Sequence, residues 1–260
     1  MFKIIILQLL YNLSDDQVEF QIRDMLSLMR FLVLSLSDTV PDSKTIWLFI
    51  EQLTESKLVK NLFNQFDEFL DKNGFPARKG QIVDAGIIAA PKQRNSRQEN
   101  KDIKDGNIPD DWTQNKRRPK DTDARWVKKN GKSRFVYKNH IDIDVEHKLI
   151  RDYEVTPASV HDGNIFEQIL DEDNSSRDVW ADSAYGSEEK IGILEAYGFR
   201  SHVQRKGCSY KKLDERQIRG NHKRAKIRCR IEHIFGVQAM RSWRLLIRTI
   251  ELSIRAKWFI

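Results

Sequence analysis

Cysteine is almost missing from this 260-residue chain: there are two, Cys208 and Cys229, with no CxxC pair and no paired histidines beside them. That excludes a disulfide framework and a cysteine-based zinc site, and it fits a reducing compartment such as the cytoplasm. Long hydrophobic runs are missing too. The opening MFKIIILQLL is too short and too soon interrupted to span a bilayer, and no small-residue cleavage site follows it, so it reads as core. There is no internal repeat and no low-complexity tract. What is present is 40% hydrophobic residues with six Trp and thirteen Phe, enough to build a real core in one large or two modest domains.

The net charge of +7 is unevenly spread. Residues 201–260 hold 16 Lys and Arg against 4 Asp and Glu, a surplus of +12, which leaves −5 for residues 1–200. A basic surface of this kind attracts polyanions by releasing their counterions, and it points to nucleic acid more than to a solvated helix face. Membrane binding is not expected, since that calls for a basic amphipathic helix with a clean apolar face.

Residues 1–75 read as a small all-helical domain. The capping-box spacing from Ser14 to Gln17 precedes an apolar-periodic run through Met25, Leu28, Phe31 and Leu32, which Pro41 ends. A second helix is predicted from about Asp42 or Ser43, and a third carries Leu58, Leu62, Phe66 and Leu70 to a stop near Gly74. Short helices with tight turns suit a helix-turn-helix-like DNA-binding module, and equally a bundle that only packs on its neighbour. From residue 76 the texture changes to α/β. Strands are predicted at 82–90, 135–144, 149–155 and 179–181, a helical stretch at 164–170, a helix at 188–197, a short strand at 201–204 and a final long helix. That is the element order of an RNase H-like mixed sheet flanked by helices, occupying residues 76–260. Between the first two strands, residues 91–134 form a basic insertion of 14 basic and 7 acidic residues with little periodicity, read as a long loop. Lys116, Arg117, Arg118 and Trp126 make it a candidate DNA-facing arm.

Two aspartates sit in short apolar runs, Asp84 in QIVDAGIIAAP and Asp182 in VWADSAYGS. A carboxylate so placed carries a desolvation cost unless a cation or a donor meets it, which makes each a metal-ligand candidate; a solitary Asp at a strand end is more often a turn or cap former, and it is the pair together with a suitable Glu that strengthens the metal reading. Glu232 in RCRIEHIFG flanks a helical stripe of Ile227, Ile231, Ile234 and Phe235, one turn after Arg228. A carboxylate at the margin of a core-packed helix can reach strand ends. His161 and Asp162 in SVHDG could serve as a base or metal-ligand pair, but Asp162-Gly163-Asn164 is read instead as a turn and cap for a helix starting near Ile165. Asp142 and Asp144 alternate on one face of the second strand and are expected to face solvent.

The linked segments FKIIILQLLYNLSDDQVE, MRFLVLSLSDTVPDSKTIWLF, GQIVDAGIIAAPKQRNSRQEN, DARWVKKNGKSRFVYKNHIDID, VTPASVHDG, WADSAYGS and RCRIEHIFG run through almost the whole chain. In that order they resemble bacterial insertion-sequence DDE transposases of the insertion sequence five family. The resemblance implies a metal-dependent strand cleavage and strand transfer of DNA at terminal inverted repeats. Asp84, Asp182 and Glu232 correspond to the acidic triad that holds two Mg²⁺ ions, and Arg228 to the arginine four residues before the catalytic glutamate. Asp84 would hold both ions and the other two carboxylates one each; the all-oxygen donor set favours Mg²⁺, with Mn²⁺ as substitute. Lys138 and His140, with Tyr137, would line the DNA path, and Lys223, Arg224, Lys226 and Arg230 would serve it from the basic segment. The implied partners are double-stranded DNA, as inverted repeats and target, and a second copy of the chain to pair two element ends; the implied location is the bacterial cytoplasm, on the nucleoid.

Departures from the pattern are Ala225 and Ala239 where the wider group has Tyr and Lys, and Val136 where a glycine is usual before Tyr137. The resemblance further implies a chain that begins inside the family's N-terminal region and ends before its closing helical segment, exposing apolar surface around Trp258 and Phe259. A truncated, non-catalytic DNA-binding remnant or regulator, and a different RNase H-like nuclease, are the two other function classes compatible with the residues.

Overall fold

The computed structural model describes residues 1–241 apart from Lys57, Arg118, Asn130, Cys208, Ser209 and Lys211. The expectations placed on Arg118, Cys208, Trp258 and Phe259 therefore lie outside the described residues. Two compact units are formed, one by Met1–Gln65 with the end of the described chain from Val237, the other with its body at Phe66–Gly236.

The first unit contains α1 (Phe2–Tyr11), α2 (Asp15–Asp24), α3 (Leu26–Leu32), α4 (Ser43–Glu55) and the start of α5 (Leu58–Lys72). The predicted capping box is present: Gln17 N donates to Ser14 Oγ at 3.2 Å and Ser14 N to Gln17 Oε1 at 3.0 Å. The apolar run that follows is not one helix but two, because Met25 is extended and serves as C-cap of α2 and N-cap of α3. Asp42 caps α4 by accepting from Thr45 N at 2.8 Å. Val18, Ile22 and Ile46 are fully enclosed between these helices, whereas Trp47 and Leu48 on α4 are exposed.

The second unit is built on a six-stranded mixed sheet. Its strands are β1 (Gln81–Ala89), β2 (Arg125–Lys129), β3 (Lys132–Asp144), β4 (Ile150–Pro157), β5 (Asp178–Ala181) and β6 (Arg200–Ser201). β1 is central, antiparallel to β3 along its whole length and parallel to β5. β6 adds in parallel beyond β5, while β2 and β4 both pair with β3. This is the RNase H-like arrangement the element order predicts, with β2 as an addition.

Pairing sets the two faces of the sheet. Val83 of β1 shares one face with Val179 and Ala181 of β5, and over them pack Ile165, Phe166 and Ile169 of the 162–169 segment, Tyr185 of the turn after β5 and Leu194 of α8 (Glu188–Ala196). The alternate residues Asp84 and Gly86 point to the other face, where α9 (Glu215–Arg241) lies.

Several local expectations are corrected. The 91–134 segment is not an unstructured loop: it contains α6 (Arg97–Lys104), α7 (Gln114–Arg117) and β2, which forms a hairpin with a β3 that begins three residues earlier than predicted. A second capping box, Ser96 with Glu99, starts α6, and Trp112 Nε1 donates to Glu99 at 2.7 Å. The helix predicted at 164–170 is instead two 3₁₀ turns, Asp162–Asn164 and Phe166–Ile169. His161, not Asp162, caps the first of them, accepting from Gly163 N at 3.2 Å. Asp142 and Asp144 do not face solvent: both are fully buried, because their face of β3 is covered by the 162–169 segment and by α5 with its following turn.

Candidate active site

β1 and β5 run parallel with Val83 beside Ala181, so Asp84 and Asp182, each one residue further on, leave neighbouring strands at the same level. Asp84 is mid-strand and largely buried; Asp182 follows the last residue of β5 and caps the 3₁₀ turn Ser183–Tyr185, accepting from Ala184 N at 2.7 Å. Glu232 arrives from α9. That helix can approach β1 closely because residue 86 is glycine: a Cβ there would sit 2.7 Å from the ring of Phe235. Glu232 lies one turn before that contact, on the more exposed side, with 59% of its side chain accessible.

Two of the carboxylates, Asp84 and Glu232, flank one cation. Arg228 Nη1 donates to Asp84 Oδ2 and lies 3.7 Å from Glu232 Oε1. Burial pushes the Asp84 carboxyl up to about 6; Asp182 and Glu232 add to the rise, while the Ala85 amide and Arg228 oppose it. Asp182 and Glu232 are thus close enough to act on Asp84 electrostatically. Nearby, the Tyr185 hydroxyl is buried with no hydrogen-bond partner among the described residues, and its acidity is suppressed, chiefly by burial.

The donor chemistry fits a hard divalent cation: oxygen ligands only, and three carboxylates against one guanidinium. In the geometry present, though, no three His, Cys, Asp or Glu side chains among the described residues stand together as a group that could hold a metal ion.

The predicted DNA-contacting residues are scattered. Lys223 and Lys226 are exposed on α9, and Arg224 is partly so. Arg230 turns inward, donating to Val145 O at 2.9 Å. In the insertion Arg117 and Trp126 are exposed, the latter packed on Phe135. Lys116 is engaged by Glu99 at 2.8 Å and Asp111 at 3.5 Å over the Trp112 ring. Lys138 pairs with Asp162 at 2.8 Å and donates to Val160 O. His140 is fully buried and shares a 2.9 Å hydrogen bond with Thr156, and burial lowers it to about 4, so it is a neutral interior group, off the accessible surface. Tyr137 is interior as well, its hydroxyl donating to Asp121 at 2.5 Å. The close approach at Gly86 was not read from the sequence, although a glycine inside an apolar strand is the signal for it.

Comparison with known families decides what this arrangement belongs to. The transposase DDE domain profile matches residues 76–257, more than half the chain. The chain belongs to the DDE transposase family. The match takes in the whole sheet together with the described part of α9. A second transposase domain profile, DUF772, matches residues 1–52, the helices up to α4. No solved structure matches. The transposase domain is of the polynucleotidyl-transferase type, generally dependent on divalent metal, and its family implies DNA as partner. Among the described residues no helix is long and apolar enough to cross a membrane.

Proposed function

We propose that this transposase cuts and joins the DNA strands of an insertion sequence of the insertion sequence five type at terminal inverted repeats, working as a homodimer on the bacterial nucleoid. The observation that carries this reading is the convergence on Asp84: a buried carboxylate at the centre of β1, with Asp182 and Glu232 in electrostatic range and Arg228 on it. Asp84, Asp182 and Glu232 are the residues that would hold two Mg²⁺ ions, with Mn²⁺ able to substitute. The chemistry a divalent metal would supply there is activation of a water or 3′-hydroxyl oxygen and offset of charge on the leaving oxygen.

The chain's own residues supply position. β1 and β5 fix two carboxylates side by side, and the Gly86–Phe235 contact sets the height of Glu232 above them. Exposed basic residues of α9, Lys223 and Lys226 with Arg224, and the insertion's Arg117 and Trp126 offer phosphate and stacking contacts to the duplex. The helices of residues 1–75 are assigned to recognition of the element ends.

The test is nicking of a plasmid carrying the DNA that flanks this gene. Mg²⁺- or Mn²⁺-dependent cutting at the repeat ends, lost in Asp182→Asn while DNA binding and melting temperature persist, is the expected result. Retained cutting in that variant would reject the site assignment.

A further inference from the structure

Asp84 and Glu232 are linked by a side chain of the protein itself. Arg228 Nη1 bonds Asp84 Oδ2 and stands 3.7 Å from Glu232 Oε1, while its Nε is buried without an acceptor among the described residues. The guanidinium is therefore only partly satisfied where it sits. Its position is imposed by α9, on which Arg228 and Glu232 are one turn apart and Phe235 covers Gly86. A guanidinium keeps its proton at any working pH, so its charge is permanent. Any other cation seeking the Asp84 oxygens must contend with it, both for the lone pairs of Oδ2 and through like-charge repulsion at close range.

We propose that Arg228 is a built-in counter-cation of the acidic site, holding Asp84 in the metal-free protein, and that a divalent ion binds Asp84 only by displacing it. The proposal rests on the assignment of Asp84, Asp182 and Glu232 as the metal-holding set. Two consequences follow for the chain. Before loading, a buried carboxylate among two others is kept from being an uncompensated charge. On loading, the metal affinity is lower than the carboxylates alone would give, because a charged hydrogen bond has to be broken first.

Mn²⁺ binding to the full chain, followed by the electron paramagnetic resonance of the free ion, tests this with Arg228→Gln, Arg228→Lys and Asp84→Asn. Arg228→Gln is expected to bind Mn²⁺ about 10-fold more tightly than wild type, the size of one charged hydrogen bond no longer opposing it. Arg228→Lys keeps the charge and is expected to stay within about threefold of wild type. In wild type, saturating Mg²⁺ is expected to shift the Arg228 Nε–H resonance, identified by its loss in Arg228→Lys. Binding in Arg228→Gln no tighter than wild type, with Asp84→Asn abolishing it, overturns the counter-cation role and leaves the metal site standing. An unmoved Arg228 resonance overturns it equally, and decides the matter alone if Arg228→Gln does not fold. Wild-type affinity in Asp84→Asn would instead overturn the site assignment beneath it.

Discussion

Two buried aspartates on neighbouring strands, Asp84 of β1 and Asp144 of β3, each face an arginine, yet their surroundings differ in kind. Asp144 is wholly enclosed and accepts from His147 N at 2.6 Å, Leu149 N at 3.0 Å and Arg151 Nε at 3.3 Å. Arg151 in turn reaches Asp67 at 2.7 Å and Asp71 at 3.2 Å and donates to Phe75 O, so every group in that cluster has a fixed partner. Around Asp84, by contrast, two carboxylates, Asp84 and Glu232, share one guanidinium whose Nε has no acceptor among the described residues, and Asp182 adds a third negative charge in range of Asp84. The first cluster ties α5 and its following turn to the sheet; the second sets more carboxylates than cations around one strand residue. Burial of an acid is common to both, and the balance of its partners is what separates them.

The sharpest way to break the comparison is to remove one acid from the unbalanced set. Asp182→Asn is expected to lower cleavage by about 10³-fold or more while the melting temperature is unchanged, as read by plasmid nicking and calorimetry. The balanced set should behave in the opposite manner: Arg151→Met strands the enclosed Asp144 charge and is expected to cost about 3–5 kcal/mol in urea unfolding, with Mn²⁺ affinity of the folded fraction unchanged. Gly86→Ala lies between the two. The added methyl would press on the Phe235 ring, which is expected to cost about 1–3 kcal/mol and to reduce cleavage by lifting Glu232, and Phe235→Leu in the same chain should restore both.

The smallest effect concerns a third buried acid, Asp142, whose two oxygens have no hydrogen-bond partner among the described residues. Burial holds its carboxyl well above the ordinary range; Asp171, Asp152 and Asp144 reinforce this and Arg151 opposes it. The folded chain therefore keeps that proton to higher pH than the unfolded chain does. The resulting stability is full below the unfolded value, about 4, and drains away as pH rises toward the folded value. Asp142→Asn has no proton to lose, so its stability should fall less between pH 5 and pH 9 (a range set by the ordinary carboxylate value), with a gain on the order of 1 kcal/mol at the upper end. Parallel pH profiles for the two proteins would show that Asp142 is not the group responsible.

Much of this was legible in the residues because the signals were local. IVDAGIIAAP names a buried strand with one acid in it, Ser14 to Gln17 spells a helix start, and the strand-and-helix order specifies the sheet. The burial of Asp142 and Asp144 was not legible. Alternation in HIDID shows that His140, Asp142 and Asp144 share a face, but what covers that face comes from the distant 162–169 segment and from α5. The insertion misled for a related reason: α6 and α7 are short and polar, held by Ser96, Glu99, Trp112 and Lys116 acting on one another, which no hydrophobic period records. Convergence of Asp84, Asp182 and Glu232 was suggested by their settings, whereas Arg228 between two of them depends on the height of α9, set by one glycine.

The nine-residue pairing of β1 with β3 has a bearing on how such a gene can change. Side chains alternate strictly, so deleting or inserting a single codon within β1 would exchange Asp84 for Val83 or Ala85 at the open face and drive the acid into the apolar interior. The segment between α6 and α7, by contrast, can gain or lose residues without altering that frame. Length variation in this lineage should therefore accumulate in the insertion and be all but forbidden across nine codons.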